Sequence, residues 1–193
     1  MKNKRGGKKD LTENFKELSL DLPKSKGETG TRFDQLDKAF FNYLSEVGLS
    51  ISVSMLFVEK IVSTFSEAVN DKFFMVQIIK KGITYSVFEE IQKLSSLTNQ
   101  DWATILNVST RSLQRYKEEN QLFKPIHSEK IIEIGEIFLI GIEVFGNSQK
   151  FNLWLETPNF ALGNLKPLEL LSDSYGQQLI INEITRINYG ILA

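Results

Sequence analysis

Six side chains within residues 109–117 carry the clearest chemistry in the chain: Ser109, Thr110, Arg111, Gln114, Arg115 and Lys117. Arginine and glutamine can each make paired hydrogen bonds to base edges in the major groove of DNA. A hydroxyl at a helix start, with the free N–H groups there, can hold a phosphate. In a helix, Leu113 and Tyr116 would face inward and turn Thr110, Arg111, Gln114, Arg115 and Lys117 outward. The pattern predicts DNA contact. The other reading is a plain three-helix corner with a solvated polar face.

Other chemistries are poorly supplied. The sequence has no cysteine and one histidine. Thiol nucleophiles, disulfides, cysteine-ligated metal and a histidine-rich site within one chain are excluded. His127, between Ile126 and Ser128, reads as a linker or cap residue. Asp101, Glu89 and Glu90 read as helix-start and surface charges rather than an acid–base pair. There is no glycine-rich phosphate loop. No catalytic residue, metal or cofactor is expected, and an enzyme is not.

The elements that must position the 109–117 window follow from capping and periodicity. Ser86 with Glu89 fits a capping box, so a helix begins there or slightly earlier at Thr84. Its stripe is Val87, Phe88, Ile91, Leu94 and Leu97. Asn99 caps a second helix with Asp101 in its first turn, and Trp102, Ala103, Ile105 and Leu106 form the inner face. Ala103 is small where two helices cross. Asn107 suits a turn at positive φ, Val108 buries in that turn, and Ser109 caps a third helix. This is helix-turn-helix spacing.

The last third is more apolar. Pro125 stops the preceding segment and Ser128 caps a helix rich in isoleucine, apolar nearly all round from Ile137 to Ile142, which predicts a central helix. Gly146-Asn147 stops it. Phe151, Trp154 and Leu155 make a short helix ended by Pro158. Residues 157–164 are loop-like and oddly apolar. Pro167 opens a further helix, and a last one holds Leu179, Ile180, Ile184 and Ile187. Trp154 reads as a core or partner contact and Asn159 as a turn residue. Phe160 and Leu162 fit core filling and partner contact equally.

These residues resemble a known family. "RSLQRYKEENQLFKP", "EVFGNSQKFNLWLETPNFALGNLKPLELL" and the ending "ITRINYGILA" are similar to the Xre/MbcA/ParS antitoxins over about residues 70–193. The specific matches include Phe145-Gly146, Trp154-Leu155, Pro158-Asn159, Ala161-Leu162-Gly163, Pro167-Leu168, Leu171, Gly176 and Tyr189-Gly190. The resemblance implies an all-helical fold with an Xre-like DNA-binding part and a C-terminal toxin-binding part. It implies a RES-domain toxin as partner, one that attacks NAD, and an antitoxin that blocks the toxin's active site while the pair represses its own operon. The residues it assigns to the toxin are Trp154, Leu155, Pro158, Asn159, Phe160 and Leu162, with Tyr189, Gly190, Ile191, Leu192 and Ala193 near the toxin's active site. On residues alone, Ile191 and Leu192 equally fit a fold-back onto the last helix. Asn164 departs from the family, which often has a second glycine there, and residues 1–69 are longer than in compact members.

The whole chain sets the limits. It has 193 residues, 41% of them hydrophobic, and a net charge of -1. Residues 1–33 carry nine basic and five acidic side chains and read as a basic, disordered tail. Residues 34–79, with three and six, read as a helical N-terminal extension. Its stripe is Phe33, Leu36, Phe40, Phe41 and Leu44, and the period resumes with Met55, Val58, Ile61, Val62, Phe65 and Val69 before a break at Asn70-Asp71. Ile51 to Val58 partly alternates, which leaves a short strand open. Residues 80–124, with seven and five, form the helix-turn-helix, and 125–193, with four and eight, the toxin-binding domain. An excess of two positive charges predicts weak DNA binding by one copy, hence a homodimer. No run approaches the roughly 18 apolar residues needed to span a bilayer. The basic start is followed by no apolar stretch, so a cytoplasmic protein is expected. Two functions remain: an antitoxin and autorepressor, or a free-standing dimeric helix-turn-helix regulator with a C-terminal dimerisation or sensing domain. A RES-type reading frame next door separates them.

Overall fold

The computed structural model describes residues 30–49, 52–55, 58–61 and 64–190. The expectations for residues 1–29 and for Ile191, Leu192 and Ala193 fall outside these. Among the described residues the fold is all-α apart from one hairpin. In chain order come α1 (Gly30–Glu46), β1 (Ser52–Met55), β2 (Val58–Ile61), α2 (Phe65–Asn70), α3 (Lys72–Lys81), α4 (Tyr85–Leu94), α5 (Asn99–Ile105), α6 (Thr110–Glu118), α7 (Pro125–Phe145), α8 (Ser148–Glu156) and α9 (Ser174–Asn188). Two 3-10 turns, Phe160–Leu162 and Pro167–Ser172, lie between α8 and α9.

The helical period expected through Met55, Val58 and Ile61 is not followed. β1 and β2 pair antiparallel, with Ser52 opposite Ile61 and Met55 opposite Val58. Ser52-Val53-Ser54-Met55 alternates polar and apolar residues, the period of a strand. The break at Asn70-Asp71 is real. Asp71 accepts a hydrogen bond from Phe74 N at 3.0 Å and caps α3. Thr64 and Glu67 close a capping box on α2.

α7 is the central helix. It buries Ile131, Ile132, Ile134, Ile137, Phe138 and Ile142 and packs against α2, α3, α4, α8 and α9. Each such side chain contributes about 1.5–3 kcal/mol by leaving water. The helix begins three residues before the expected cap, because Pro125 occupies its first position, where a missing N–H costs nothing. Ser128 is inside the helix and buried. Its hydroxyl donates to Phe123 O at 3.2 Å and accepts from Ile83 N at 3.1 Å. Gly141 has no room for a side chain: an added Cβ would run into the ring of Phe151 on α8. Pro167 opens a 3-10 turn rather than an α-helix.

One core joins both halves of the chain. Two polar ties reinforce the join. Ser96 donates through its backbone N to Asn152 Oδ1 at 3.3 Å and through Oγ to Glu156 Oε1 at 2.8 Å. Lys130 Nζ donates to Ile105 O at 3.2 Å, at the end of α5, and to Ser172 O at 3.0 Å, at the end of the second 3-10 turn.

Candidate nucleic-acid and partner interfaces

The caps of the helix-turn-helix sit close to their expected places, with two shifts. α4 starts after Thr84, whose hydroxyl pairs with Ser86 Oγ at 2.9 Å, so the Ser86–Glu89 box does not form. α5 is capped by Thr98 rather than Asn99. Thr98 Oγ1 accepts from Asp101 N at 3.2 Å, and Thr98 N donates to Asp101 Oδ2 at 2.8 Å. The Thr98 hydroxyl, which also donates to Asp101 Oδ2 at 2.7 Å, and then the Thr98 backbone N–H hold the Asp101 carboxyl below its ordinary range. Asn107 adopts φ 53°, which carries the chain through the turn. Ser109 Oγ then accepts from Ser112 N at 3.0 Å and caps α6. Trp102 packs edge-on against Phe88 with ring centroids 5.1 Å apart. Tyr116 stacks on Phe123 at 4.2 Å, which fixes the roll of α6 on the body.

That roll leaves Ser109, Thr110, Arg111, Gln114 and Arg115 exposed on the outer side of α6, with Leu113 and Tyr116 buried. Gln114 Nε2 donates to Glu118 Oε1 at 3.0 Å. Lys117 is exposed too, with an ion pair of its own. Its ammonium turns back to Glu89 Oε1 at 3.1 Å and sits 5.5 Å from the centre of the Tyr85 ring. Glu89 raises its pKa above the ordinary value. Arg111 and Arg115 have no ion pair among the described residues, so their guanidinium groups are open to a ligand. His127 lies behind α6, its Nδ1 3.4 Å from Tyr116 OH. Burial, then Lys124 and Lys130, push its pKa down.

The C-terminal half splits the residues assigned to a partner. Leu155 and Leu162 are buried. They can only support an interface from beneath. Trp154 is half-buried, stacked on Phe151 at 5.8 Å and beside Phe145 at 5.4 Å. Pro158 is exposed. Asn159 builds the loop: its Oδ1 accepts from Ala161 N at 2.8 Å, and its backbone N donates to Leu165 O at 3.0 Å. Asn164 adopts φ 63°, a conformation asparagine tolerates in place of glycine, so the departure from the family pattern leaves the loop intact. The loop holds Phe160 out at 81% exposure. Tyr189, at the end of α9, is 76% exposed.

Sequence reasoning missed part of this apolar surface. Leu153 on α8 is 67% exposed and Tyr175 on α9 is 88% exposed. Leu179, which the sequence reading grouped with Ile180 and Ile184, is exposed. α9 buries Gly176, Gln177, Ile180, Glu183 and Ile184. Tyr175, Leu179, Asn182, Arg186 and Tyr189 form the opposite stripe, at steps of four, three, four and three residues. That spacing was the available signal. Among the described residues no group of three or more His, Asp or Glu is placed to hold a metal ion. No described helix is long and apolar enough to cross a membrane.

Two family models match different parts of the chain. Residues 74–134 match the antitoxin Xre-like helix-turn-helix domain, and residues 141–190 match the antitoxin Xre/MbcA/ParS C-terminal toxin-binding domain. Together these take in more than half of the chain. The chain belongs to the Xre/MbcA/ParS antitoxin family. Its curated relatives include an antitoxin Xre of Yersinia enterocolitica, 26% identical over 62% of this chain and 81% of that one. An antitoxin Xre of Photorhabdus laumondii is 25% identical over 60% and 79%. A Sphingobium protein named Prs ADP-ribosylating antitoxin is 24% identical over 61% and 80%. Among solved structures, a chain of the M. tuberculosis MbcT–MbcA toxin–antitoxin complex aligns over 56% of this antitoxin and 96% of itself, at 20% identity and a TM-score of 0.46. The helix-turn-helix match runs from within α3 into α7, and the toxin-binding-domain match from the end of α7 through α9.

Proposed function

We propose that this antitoxin binds and inhibits a RES-type, NAD-consuming toxin and represses its own operon as a homodimer. One observation carries the reading: a helix-turn-helix module and a toxin-binding module share one core through α7, each with an open surface suited to its role. The operator surface is Ser109, Thr110, Arg111, Gln114 and Arg115, with Lys117 held back as a support between α6 and α4. The toxin surface is Phe160, Pro158 and Trp154 on the loop side and Tyr189, Gly190 and the residues after them at the chain end, backed by Leu155, Asn159 and Leu162. The name of the Sphingobium relative supports a partner that uses NAD, since ADP-ribosylation consumes it. NAD and operator DNA place the pair's work in the cytoplasm. The curated relatives are antitoxins, which supports a binding role with no reaction of its own.

Co-expression with the adjacent reading frame tests this. The account expects a complex that survives purification and a dimeric antitoxin that protects DNA upstream of its own gene. An adjacent product that fails to co-purify, with upstream DNA still bound, would leave a free-standing regulator instead.

A further inference from the structure

On the open side of α6 a carboxylate stands among the groups assigned to DNA. Arg111, Gln114, Arg115 and Glu118 line one concave surface. Glu118 is exposed and lies three residues beyond Arg115, the spacing of an ion pair on a helix face. It makes no ion pair among the described residues. Its Oε1 accepts instead from Gln114 Nε2 at 3.0 Å, one turn earlier. The neighbouring charges have other partners: Lys117 reaches Glu89, and Glu119 Oε2 accepts from Gln121 Nε2.

That bond fixes which way the Gln114 amide faces. A carboxylate only accepts hydrogen bonds, and an amide side chain donates only through its nitrogen. Nε2 is therefore turned toward Glu118. Oε1 and the second N–H of Nε2 are left for a ligand, one acceptor beside one donor. Adenine presents the matching pair in the major groove, a donor at N6 and an acceptor at N7. Guanine presents acceptors at both places, so its O6 would meet Oε1 with no proton between them. Cytosine presents only the N4 donor, and thymine only the O4 acceptor beside its methyl group. We propose that Gln114 reads an adenine in the operator, and that Glu118 is the positioning residue that sets this choice by holding the amide. The proposal rests on the reading of α6 as the helix that contacts the operator.

Glu118 acts in two separable ways. Its acceptor oxygen orients Gln114; without it the amide can turn over and donate to guanine O6 and N7, which relaxes the choice of base. Its charge opposes the phosphates that α6 approaches, which weakens binding to any DNA. Glu118→Gln divides the two. The new amide oxygen still accepts from Gln114 Nε2, and the charge is gone. Glu118→Ala removes both.

The test uses the full chain and duplexes of the DNA upstream of its own gene. Each base pair is replaced in turn, and affinities are measured by gel shift at one salt concentration. The position read by Gln114 is the one whose replacement weakens the natural protein but not Gln114→Ala. The proposal expects adenine there, with about tenfold weaker binding to guanine and a similar loss for 7-deazaadenine, which lacks the N7 acceptor. In Glu118→Ala the preference for adenine over guanine should fall to about twofold or less. In Glu118→Gln it should stay at about tenfold, while binding to operator and to unrelated DNA both tighten. Full preference in Glu118→Ala, or its loss in Glu118→Gln, would overturn the role of Glu118. Another base at the Gln114 position, or no position that depends on Gln114, would overturn the proposal and leave operator binding standing. A natural protein that binds none of the duplexes would overturn it together with operator contact by α6.

Discussion

Arg111 and Arg115 stand one helical turn apart on the open side of α6, with Gln114 between them. Each good paired contact to a base contributes about 1–3 kcal/mol of discrimination. Arg111→Ala combined with Arg115→Ala should abolish specific operator binding in a gel-shift titration while circular dichroism stays native. Unchanged affinity would remove these residues from the interface. His127 makes a pH prediction. Its folded pKa lies below the ordinary 6.5, so the unfolded chain binds the proton better. Its contribution to stability is full above pH 6.5 and declines as pH falls from there through the folded value. Melting temperature measured from pH 8 to 5 should drop more for the natural protein than for His127→Gln. A parallel pair of curves would contradict the burial argument. Single residues were legible where a local rule governs them: Asn107 at positive φ, Ser109 as a cap, Gly146 as a stop. The Lys117–Glu89 ion pair was not, because the two residues lie 28 positions apart and only the α4–α6 packing brings them together.

At the scale of elements, α7 was legible because no surface helix is apolar nearly all round. Its first turn was misread because Pro125 acts as an opener here rather than a stop. The first strand of the hairpin was left open as an alternative, and the second was missed because Val58 and Ile61 also fit the helical period. The exposed stripe of α9 was hidden because Leu179 counts as apolar whichever way it points. Packing around α7 gives a firm prediction. Gly141→Ala puts a methyl group against Phe151 and should cost about 1–3 kcal/mol in a denaturant titration. A neutral result would mean that α8 can move aside. The chain end gives another. Deleting Tyr189 to Ala193 removes an exposed ring and leaves the buried Ile180 and Ile184 in place. Operator affinity and melting temperature should barely change, and protection against the toxin should be lost. If the truncated protein still protects, the inhibitory surface is the loop from Trp154 to Leu162.

For the whole molecule, the two functional faces stand on a single core, with Lys130 and Ser96 tying the helix-turn-helix to the toxin-binding domain. Heat should therefore melt residues 64–190 in one transition rather than two, and two resolved calorimetric peaks would contradict a shared core. The modest basic excess of the helix-turn-helix argues for two copies on the operator. Footprinting should show paired half-sites about 34–36 Å apart or a multiple of it. Tight binding to one half-site by a strict monomer would oppose this. The central claim is neutralisation of a toxin that destroys NAD. The most direct test is the NAD content of cells after induction of the adjacent reading frame, with and without this chain. The account predicts collapse of NAD with the toxin alone and near-normal NAD with both. An equal collapse in both cultures, with the two proteins present in equal amounts, would contradict it.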